Sequence, residues 1–259
     1  MTSLEDARKQ INIIDEEMAN LFEKRMQAVE DVIRYKQEHQ MQVLDTSREQ
    51  FVIERNTKFI QKEQYKESYI AFITDIMSIS RKYQQSIINQ DKIGYAGTEG
   101  AFSHIAADKV FPEYRKKSYA TFAEVFRAVE ECEVGFGVVP FENSYTGEVG
   151  EVLDLLMRYD VYINDIYDLR ISQNLLGVKE ATLEDIKQVY SKDQAIYQSK
   201  KFLEGRGYEL IPYPNTALAA EYVARENDKS KAAIAAKENA ELYGLDILAE
   251  DINTSEQNT

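Results

Sequence analysis

The chain has 259 residues, with 31 lysine and arginine against 45 aspartate and glutamate residues, so its formal net charge is −14. This charge argues against a nucleic-acid-binding protein, which needs a basic surface to bind phosphates. No stretch approaches the roughly 18 apolar residues of a membrane-spanning helix, and no signal peptide is visible. A single cysteine, Cys132, cannot form an internal disulfide, and the two histidines leave little material for a metal site. We therefore expect a cytoplasmic protein with no metal, cofactor, membrane or nucleic-acid partner.

Composition divides the chain near residue 91. All 11 glycines and all 4 prolines lie at or after Gly94. Residues 1–90 hold 13 basic and 15 acidic side chains, a net charge of −2, which leaves −12 for the remainder. The shift predicts two domains, residues 1–90 and 91–259.

The first domain is predicted to contain three helices. Apolar residues recur at three- and four-residue spacing from Ile11 to Ile33. A second helix is predicted from Thr46, where the letters TSRE match a capping box, and a third from about Ser68 to Asn89. Three helices alone cannot bury such apolar stripes well, so the pattern predicts a helical homodimer.

Strand and helix patterns alternate after residue 91, which predicts an α/β domain with a mainly parallel sheet. One predicted strand begins at Lys92, and the others cover residues 134–140, 170–178, 209–212 and 232–236. The predicted helices cover residues 103–111, 121–130, 149–159, 191–207 and 216–225. A faint internal repeat relates TFAEVFRAVE and GFGVVPFENS to TALAAEYVARE and AAIAAKENA. It indicates either two similar lobes that close on a ligand or shared secondary structure alone.

Several cations fall inside the apolar stripes of the helical domain. On a wheel of about 100° per residue that starts at Ile11, Arg25 lies at about 320° and Lys36 at about 340°. Ser80 and Gln84 lie within the stripe of the third helix. Such side chains either reach solvent at the stripe edge or line a pocket for a polyanion, because a buried unpaired cation is costly. The polar neighbours favour the pocket.

Residues 1–90 resemble the all-α AroQ class of chorismate mutases, which are intertwined dimers. The similarity lies in RKQINIID from Arg8, EKRM from Glu23, Lys36, DTSRE from Asp45 and SRKYQ from Ser80. It implies that Arg8 of one subunit meets a set of residues of the other. That set is Arg25, Lys36, Asp45, Arg48, Glu49, Ser80 and Gln84.

The implied reaction, chorismate to prephenate, is pericyclic and needs binding and charge stabilisation rather than a nucleophile. Arginine forks suit the two substrate carboxylates, and the implied grips are Arg8, Arg25 and Arg48. Lys36 and Gln84 would donate to the ether oxygen, Glu49 would accept the substrate hydroxyl, and Ser80 would assist at a carboxylate.

Small polar residues follow strands of the second domain. The segment GYAGTEGAFS from Gly94 places three glycines between a strand and a helix, which suits either an anion at the helix N-terminus or a tight turn. VPFENS places Glu142, Asn143 and Ser144 after one strand, and VYSKDQ places Ser191 and Gln194 after another. Ligands bind at such carboxyl ends in α/β sheets.

From Lys92 onward the chain resembles prephenate dehydratases, through these segments and QNLL, NTALAA and AAIAAKENAELYGLDIL. The resemblance implies a two-lobed, periplasmic-binding-protein-like α/β fold with the site between the lobes, where prephenate loses water and carbon dioxide. Candidate substrate-binding residues are Asn143, Ser144, Ser191, Gln194 and Thr216, with Glu142 as an acid or as a group that orients one.

Departures from that family weaken the second activity. Lys192 and Asp193 replace a usual His-Pro, Gln173 replaces a His, and Asn215 replaces a Ser. The sequence ends at SEQNT before a usual Thr-Arg-Phe motif and a regulatory ACT domain, so we expect a truncated chain in which prephenate accumulates. The alternative is a non-catalytic module that binds an aromatic acid and dimerises through its helices.

Overall fold

The computed structural model describes residues 3–144 and 147–255 and divides the chain into two compact units, Met1–Gln90 and Asp91–Thr259. No helix in the described part of the chain is long and apolar enough to cross a membrane.

The first unit is helical. It contains α1 (Leu4–Glu38), α2 (Thr46–Thr57) and α3 (Lys66–Ile88), with a 3-10 turn at Glu63–Tyr65 before α3. The predicted capping box is wrong by one residue. Asp45, rather than Thr46, is the N-cap of α2, and its side chain accepts a hydrogen bond from the backbone of Arg48 at 2.9 Å. An aspartate carboxylate satisfies this exposed amide well, so the helix begins there.

The helical unit buries few apolar side chains. Ile33, Ile73 and Met77 are its buried hydrophobic residues in the described range. Ile11, Ile14 and Leu21 remain more than half exposed on α1. The periodic stripe therefore exists, but a single chain does not cover it.

The first lobe of the second unit is a parallel sheet of order β2-β1-β3, packed by helices. Its elements are β1 (Lys92–Ala96), α4 (Phe102–Val110), β2 (Arg115–Tyr119), α5 (Phe122–Glu130), β3 (Phe136–Val138), β4 (Glu142–Asn143), β5 (Gly147–Glu148) and α6 (Gly150–Leu156). The sequence did not indicate β2 or the hairpin of β4 and β5. Strand β2 reads RKKSY and is exposed except at half-buried Lys116 and at its last residue, so it lacks an apolar pattern.

The second lobe is a five-stranded sheet of order β10-β6-β9-β7-β8. Its elements are β6 (Asn174–Gly177), β7 (Gln188–Ser191), α7 (Asp193–Gln198), α8 (Lys200–Leu203), β8 (Glu209–Pro212), α9 (Thr216–Glu226), β9 (Lys231–Ala235), α10 (Glu238–Tyr243) and β10 (Asp246–Ala249). The helix predicted over 191–207 is therefore two shorter helices. Fully buried Leu175, Val189 and Ile234 lie on the central strands.

One strand of this lobe, β6, runs against the predicted mainly parallel sheet. Strand β7 runs parallel to β8 and β9, but β6 runs antiparallel to β9 and β10. Asn174, the first residue of β6, therefore pairs with Ala235, the last residue of β9. As a result the start of β6 lies at the same sheet edge as the carboxyl ends of β7, β8, β9 and β10.

Candidate active sites

The predicted inward cation of α1 reaches α3. The Arg25 guanidinium donates a hydrogen bond to the Ser80 hydroxyl, which is 3% exposed. Ser80 in turn donates to the carbonyl of Ile76 at 2.8 Å. Burial lowers the pKa of Arg25, yet a guanidinium stays protonated, so a positive charge sits between two helices.

Gln84 lies one turn beyond Ser80 on the same face of α3. It is buried, and its Nε2 donates to the Ser80 carbonyl at 3.3 Å. Its Oε1 is buried with no hydrogen-bond partner in the described ranges. An unsatisfied buried carbonyl oxygen costs about 1–3 kcal/mol, which is expected where a ligand or water completes the site.

Lys36 and Glu49 are half-buried beside these helices. The Lys36 ammonium donates to the carbonyl of Val43 at 2.6 Å, which leaves two of its three protons for other acceptors. The carboxylate of Glu49 accepts from the guanidinium of Arg81, a residue that the sequence analysis did not single out.

Three predicted mutase residues are exposed in the single chain: Arg8, Asp45 and Arg48. Asp45 acts as the cap of α2, and the Arg48 guanidinium lies 5.4 Å from the centroid of the Phe51 ring. Arg8 is 17 positions before Arg25 on α1, about 25 Å along a helix at 1.5 Å per residue. Within one chain, Arg8 and Arg25 therefore cannot bind the same small molecule.

In the second unit, Ser191 and Thr216 are buried and Gln194 is half-buried. Ser191 ends β7, and its hydroxyl donates to the carbonyl of Ile234 in β9 at 2.6 Å. Thr216 opens α9, and Asn215 caps that helix by accepting from the amide of Leu218 at 2.7 Å. Asparagine at position 215 thus retains a helix-capping side chain, and Thr216 stays at the sheet edge.

The other predicted dehydratase residues follow β3. Glu142 and Asn143 form β4, where Asn143 pairs with Gly147, while Glu142 and Ser144 are exposed. Positions 256–259 of the terminal segment SEQNT lie outside the described residues.

The glycine loop between β1 and α4 is a tight turn in which three backbone amides are bonded within the protein. Gly97 donates to the carbonyl of Tyr119 at 2.9 Å, and Ala101 donates to that of Thr98 at 3.1 Å. Gly100, at φ +81°, donates to His104 Nδ1 at 3.2 Å and accepts from Asn239 Nδ2 at 3.0 Å. These three amides are therefore not available to an anion, which supports the tight turn for this part of the loop.

A cavity of about 180 Å³ lies between the two lobes. The cations in its wall are Lys109, Arg170 and Lys237, and the acids are Glu238, Glu250 and Asp251. Lys109 pairs with Glu238 at 3.2 Å, and Arg170 pairs with Asp251 at 3.4 Å. Lys109, Arg170, Glu250 and Asp251 lie outside the segments that carry the resemblance. Lys237 and Glu238 lie inside the segment AAIAAKENAELYGLDIL, but charged residues after a strand read as solvated surface.

Two buried glutamines lie beside this cavity's sheet edge. Gln173 Nε2 donates to Gln198 Oε1 at 3.2 Å, while Gln173 Oε1 is buried with no partner elsewhere in the described chain. The backbone amide of Gln173 donates to the Asn253 side chain at 2.6 Å. Gln198 had no signal of its own in the sequence, because it reads as one polar position of a helix.

A helical unit with an inward arginine and a two-lobed α/β unit with polar strand ends define a two-domain enzyme for small anions. The prephenate dehydratase family model matches residues 93–259, and the chorismate mutase type II model matches residues 7–85. The chain belongs to the prephenate dehydratase family and carries a chorismate mutase domain ahead of the dehydratase domain.

Named relatives agree with this assignment. A bifunctional chorismate mutase/prephenate dehydratase of Buchnera aphidicola is 28% identical over 97% of this chain and 69% of its own length. The enzyme of that name from Stutzerimonas stutzeri is 31% identical over 96% and 69%. A solved prephenate dehydratase from Staphylococcus aureus matches with a TM-score of 0.57 at 28% identity. The match covers 64% of this chain and 62% of that one.

These findings favour the enzyme over the non-catalytic binding module. The chain is a bifunctional enzyme of phenylalanine biosynthesis, with a mutase domain and a dehydratase domain.

Proposed function

We propose that the helical unit rearranges chorismate to prephenate with Arg25, Ser80 and Gln84 at the centre of its site. The observation that carries this proposal is the partly buried polar contact between α1 and α3, in which Arg25 donates to Ser80. Gln84 adds a buried oxygen that lacks a partner in the part of the chain described. A helix contact that served packing alone would place apolar side chains there.

In this mechanism the bonds shift within the substrate, and the side chains hold its reactive conformer. Arg25 and Arg48 bind carboxylates through their guanidinium forks, together with the partner subunit's Arg8. Lys36 and the Gln84 amide donate to the ether oxygen, where negative charge develops in the transition state. Glu49 accepts the substrate hydroxyl, Ser80 assists Arg25 at its carboxylate, and Asp45 caps the helix that carries Arg48 and Glu49.

A homodimer through the helical unit supplies the missing arginine. The exposed stripe of α1, which includes Ile11, Ile14 and Leu21, is the surface that a second copy would cover. The distance of about 25 Å between Arg8 and Arg25 along α1 means that Arg8 enters a site only from the other subunit. Because one cysteine per chain suits a reducing compartment, we place this dimer in the cytoplasm.

The α/β unit is proposed to convert prephenate to phenylpyruvate between its lobes. Expulsion of the ring hydroxyl as water, with loss of carbon dioxide, needs a proton donor near that hydroxyl and an anchor for the carboxylates. Asn143, Ser144, Gln194 and Thr216 are the proposed binding residues, and Glu142 protonates the hydroxyl or orients the group that does. Ser191, whose own proton goes to Ile234, meets a ligand as an acceptor.

Positive charge for the prephenate carboxylates is proposed to come from the wall of the interlobe cavity. Lys109, Arg170 and Lys237 lie there although the domain is acidic overall. Lys109 and Arg170 have carboxylate partners at 3.2 and 3.4 Å. A dianionic substrate would compete with those partners for the two cations.

Two separate assays test the two activities. Chorismate added to the purified chain should disappear. Prephenate added to a second sample should give phenylpyruvate more slowly, because Gln173, Lys192 and Asp193 depart from the dehydratase motifs, so prephenate should accumulate in the first sample. Loss of the first reaction in Arg25→Ala, with the second unchanged, would assign the mutase to the helical unit. If wild-type chain leaves chorismate unchanged at micromolar enzyme, the proposed mutase site is wrong.

A further inference from the structure

The helical unit contains a cross-helix ion pair that the mechanism above does not explain. Arg81 on α3 donates to Glu49 on α2, and the side chains are 28% and 26% exposed. Two pairs within α1 are far more open: Lys9 with Glu5 at 64% and 79%, and Arg34 with Asp31 at 71% and 73%. The pair of Arg81 and Glu49 is thus better protected from solvent screening than a surface pair.

The location of Arg81 links it to the proposed substrate pocket. It follows Ser80 directly, so two consecutive residues of α3 reach two different helices. Ser80 accepts from Arg25 of α1, and Arg81 donates to Glu49 of α2. Glu49 lies in the first turn of α2, where the helix dipole also favours an ionised carboxylate.

A carboxylate that accepts a substrate hydroxyl must be ionised and must point one oxygen at the ligand. A free glutamate side chain would lose rotamer freedom on binding, and this loss of entropy opposes binding. The contact from Arg81 is made to Glu49 Oε1, which leaves Oε2 for a second donor. An arginine that fixes one oxygen therefore orients the other before substrate arrives.

We propose that Arg81 is a positioning residue of the mutase site, which holds Glu49 so that Glu49 Oε2 accepts the substrate hydroxyl. This proposal rests on the proposed mutase function. The competing interpretation is that the pair only tethers α2 to α3. In that case Arg81 would affect stability, and its effect on turnover would not depend on the Glu49 carboxylate.

A double-mutant cycle in the full chain separates the two interpretations. Arg81→Leu should lower kcat by about 10- to 100-fold, the scale of a misplaced group near a reaction centre, with a smaller change in KM. Glu49→Gln should also lower kcat. If Arg81 acts through Glu49, the double variant should lie within about twofold of Glu49→Gln alone, because coupled residues are not additive.

Two further variants complete the test. Arg81→Lys should recover most of the lost kcat, since the contact joins one nitrogen to one oxygen and does not need the full guanidinium fork. Arg34→Leu, which removes an arginine from the exposed pair with Asp31, is the matched control and should leave kcat unchanged. Urea unfolding of each variant reports any loss of stability separately from kcat.

Additive effects in the cycle, or a kcat for Arg81→Leu equal to wild type, would overturn the positioning role of Arg81. Neither result would contradict the proposed mutase function, provided that Glu49→Gln and Arg25→Ala still show reduced mutase activity. If wild-type chain does not consume chorismate, both proposals fail together.

Discussion

The two units of this chain solve the problem of burying apolar surface in different ways. The α/β unit encloses its cores within one chain, with fully buried Leu175, Leu176 and Ile234 in the five-stranded sheet. The helical unit leaves Ile14 at 52% and Leu21 at 63% exposure along α1. A stripe of this kind would be costly on a monomer surface, so the helical unit is the one for which we propose a second copy.

The units also treat charge differently. In the α/β unit, charged groups pair near the surface, as Asp91 does with Arg115 and Glu133 with Lys117. In the helical unit, Arg25 is drawn inward and meets a neutral hydroxyl rather than a carboxylate. A cation that contacts only a neutral group can bind an anionic ligand directly. A cation in an ion pair must first release its carboxylate partner before it binds such a ligand.

The largest expected effect concerns that inward cation. Arg25→Ala should lower mutase kcat/KM by about a thousandfold or more, the scale of losing a preorganised charge in a water-poor site. The far-UV circular dichroism spectrum should stay unchanged, because Arg25 lies in the middle of a long helix that alanine also favours. Lys36→Ala should behave similarly, and Arg34→Ala serves as the control. Near-normal mutase turnover in Arg25→Ala or Lys36→Ala would mean that the helical unit does not bind its substrate through inward cations.

The next effect tests whether the exposed stripe is an interface. Ile14→Asp places a carboxylate in the stripe, so the chain should become monomeric and lose mutase activity while it keeps dehydratase activity. Light scattering after size-exclusion chromatography measures the mass. Asn20→Asp is the matched control, because Asn20 lies at about 180° from Ile11 on the wheel, away from the stripe. A monomeric wild type with full mutase activity would show that the helical unit works without a partner.

A third prediction tests the self-contained packing of the α/β unit. Gly100 has φ +81°, and a Cβ added there would lie 2.1 Å from Oδ1 of Asn239. The Asn239 side chain is fully buried. Gly100→Ala should destabilise this unit by about 2–4 kcal/mol, from backbone strain and steric overlap together. Amide hydrogen exchange in β9 reports this loss without interference from the helical unit.

The matched control for Gly100 is Gly205, which has a similar φ of +77° but no atom within 4 Å of the added Cβ. Gly205→Ala should cost only the backbone strain, about 1 kcal/mol. Equal losses for the two variants would mean that the contact between Gly100 and Asn239 does not constrain the lobes.

The sequence predicted those helices and strands whose own residues show an apolar pattern. The stripe of α1 and the apolar strand that follows Lys92 are local patterns, and both are present. Strand β2 was missed because it is an exposed edge strand of polar residues, which pairing with β1 stabilises. The antiparallel direction of β6 depends on which strands meet in space, and a pattern along the chain does not encode it.

The same division holds for the candidate sites. Arg25 and Ser80 could each be predicted to face inward because each interrupts an apolar stripe, and the structure brings the two into contact. Arg81 and the cleft cation Lys237 could not, since a charged residue beside a stripe or after a strand reads as solvated surface. Their neighbours become known only when separate elements pack together.

The smallest expected effect concerns a surface pair of the α/β unit. The Lys117 ammonium, 3.1 Å from Glu133, lowers the pKa of that carboxyl below its ordinary value, with Tyr119 as a second donor. A lowered pKa in the folded state stabilises the fold above the ordinary glutamate pKa of about 4.3, and the gain is lost as pH falls through the folded-state value. Lys117→Met should therefore raise the Glu133 pKa in an NMR titration. Because the side chains are 50% and 36% exposed, stability at neutral pH should fall by less than about 1 kcal/mol.

Lys200→Met, which removes a more exposed partner 3.8 Å from Glu204, is the control and should leave the Glu133 titration unchanged. A loss of several kcal/mol in Lys117→Met would mean that surface charge, rather than the buried sheet cores, holds this unit together.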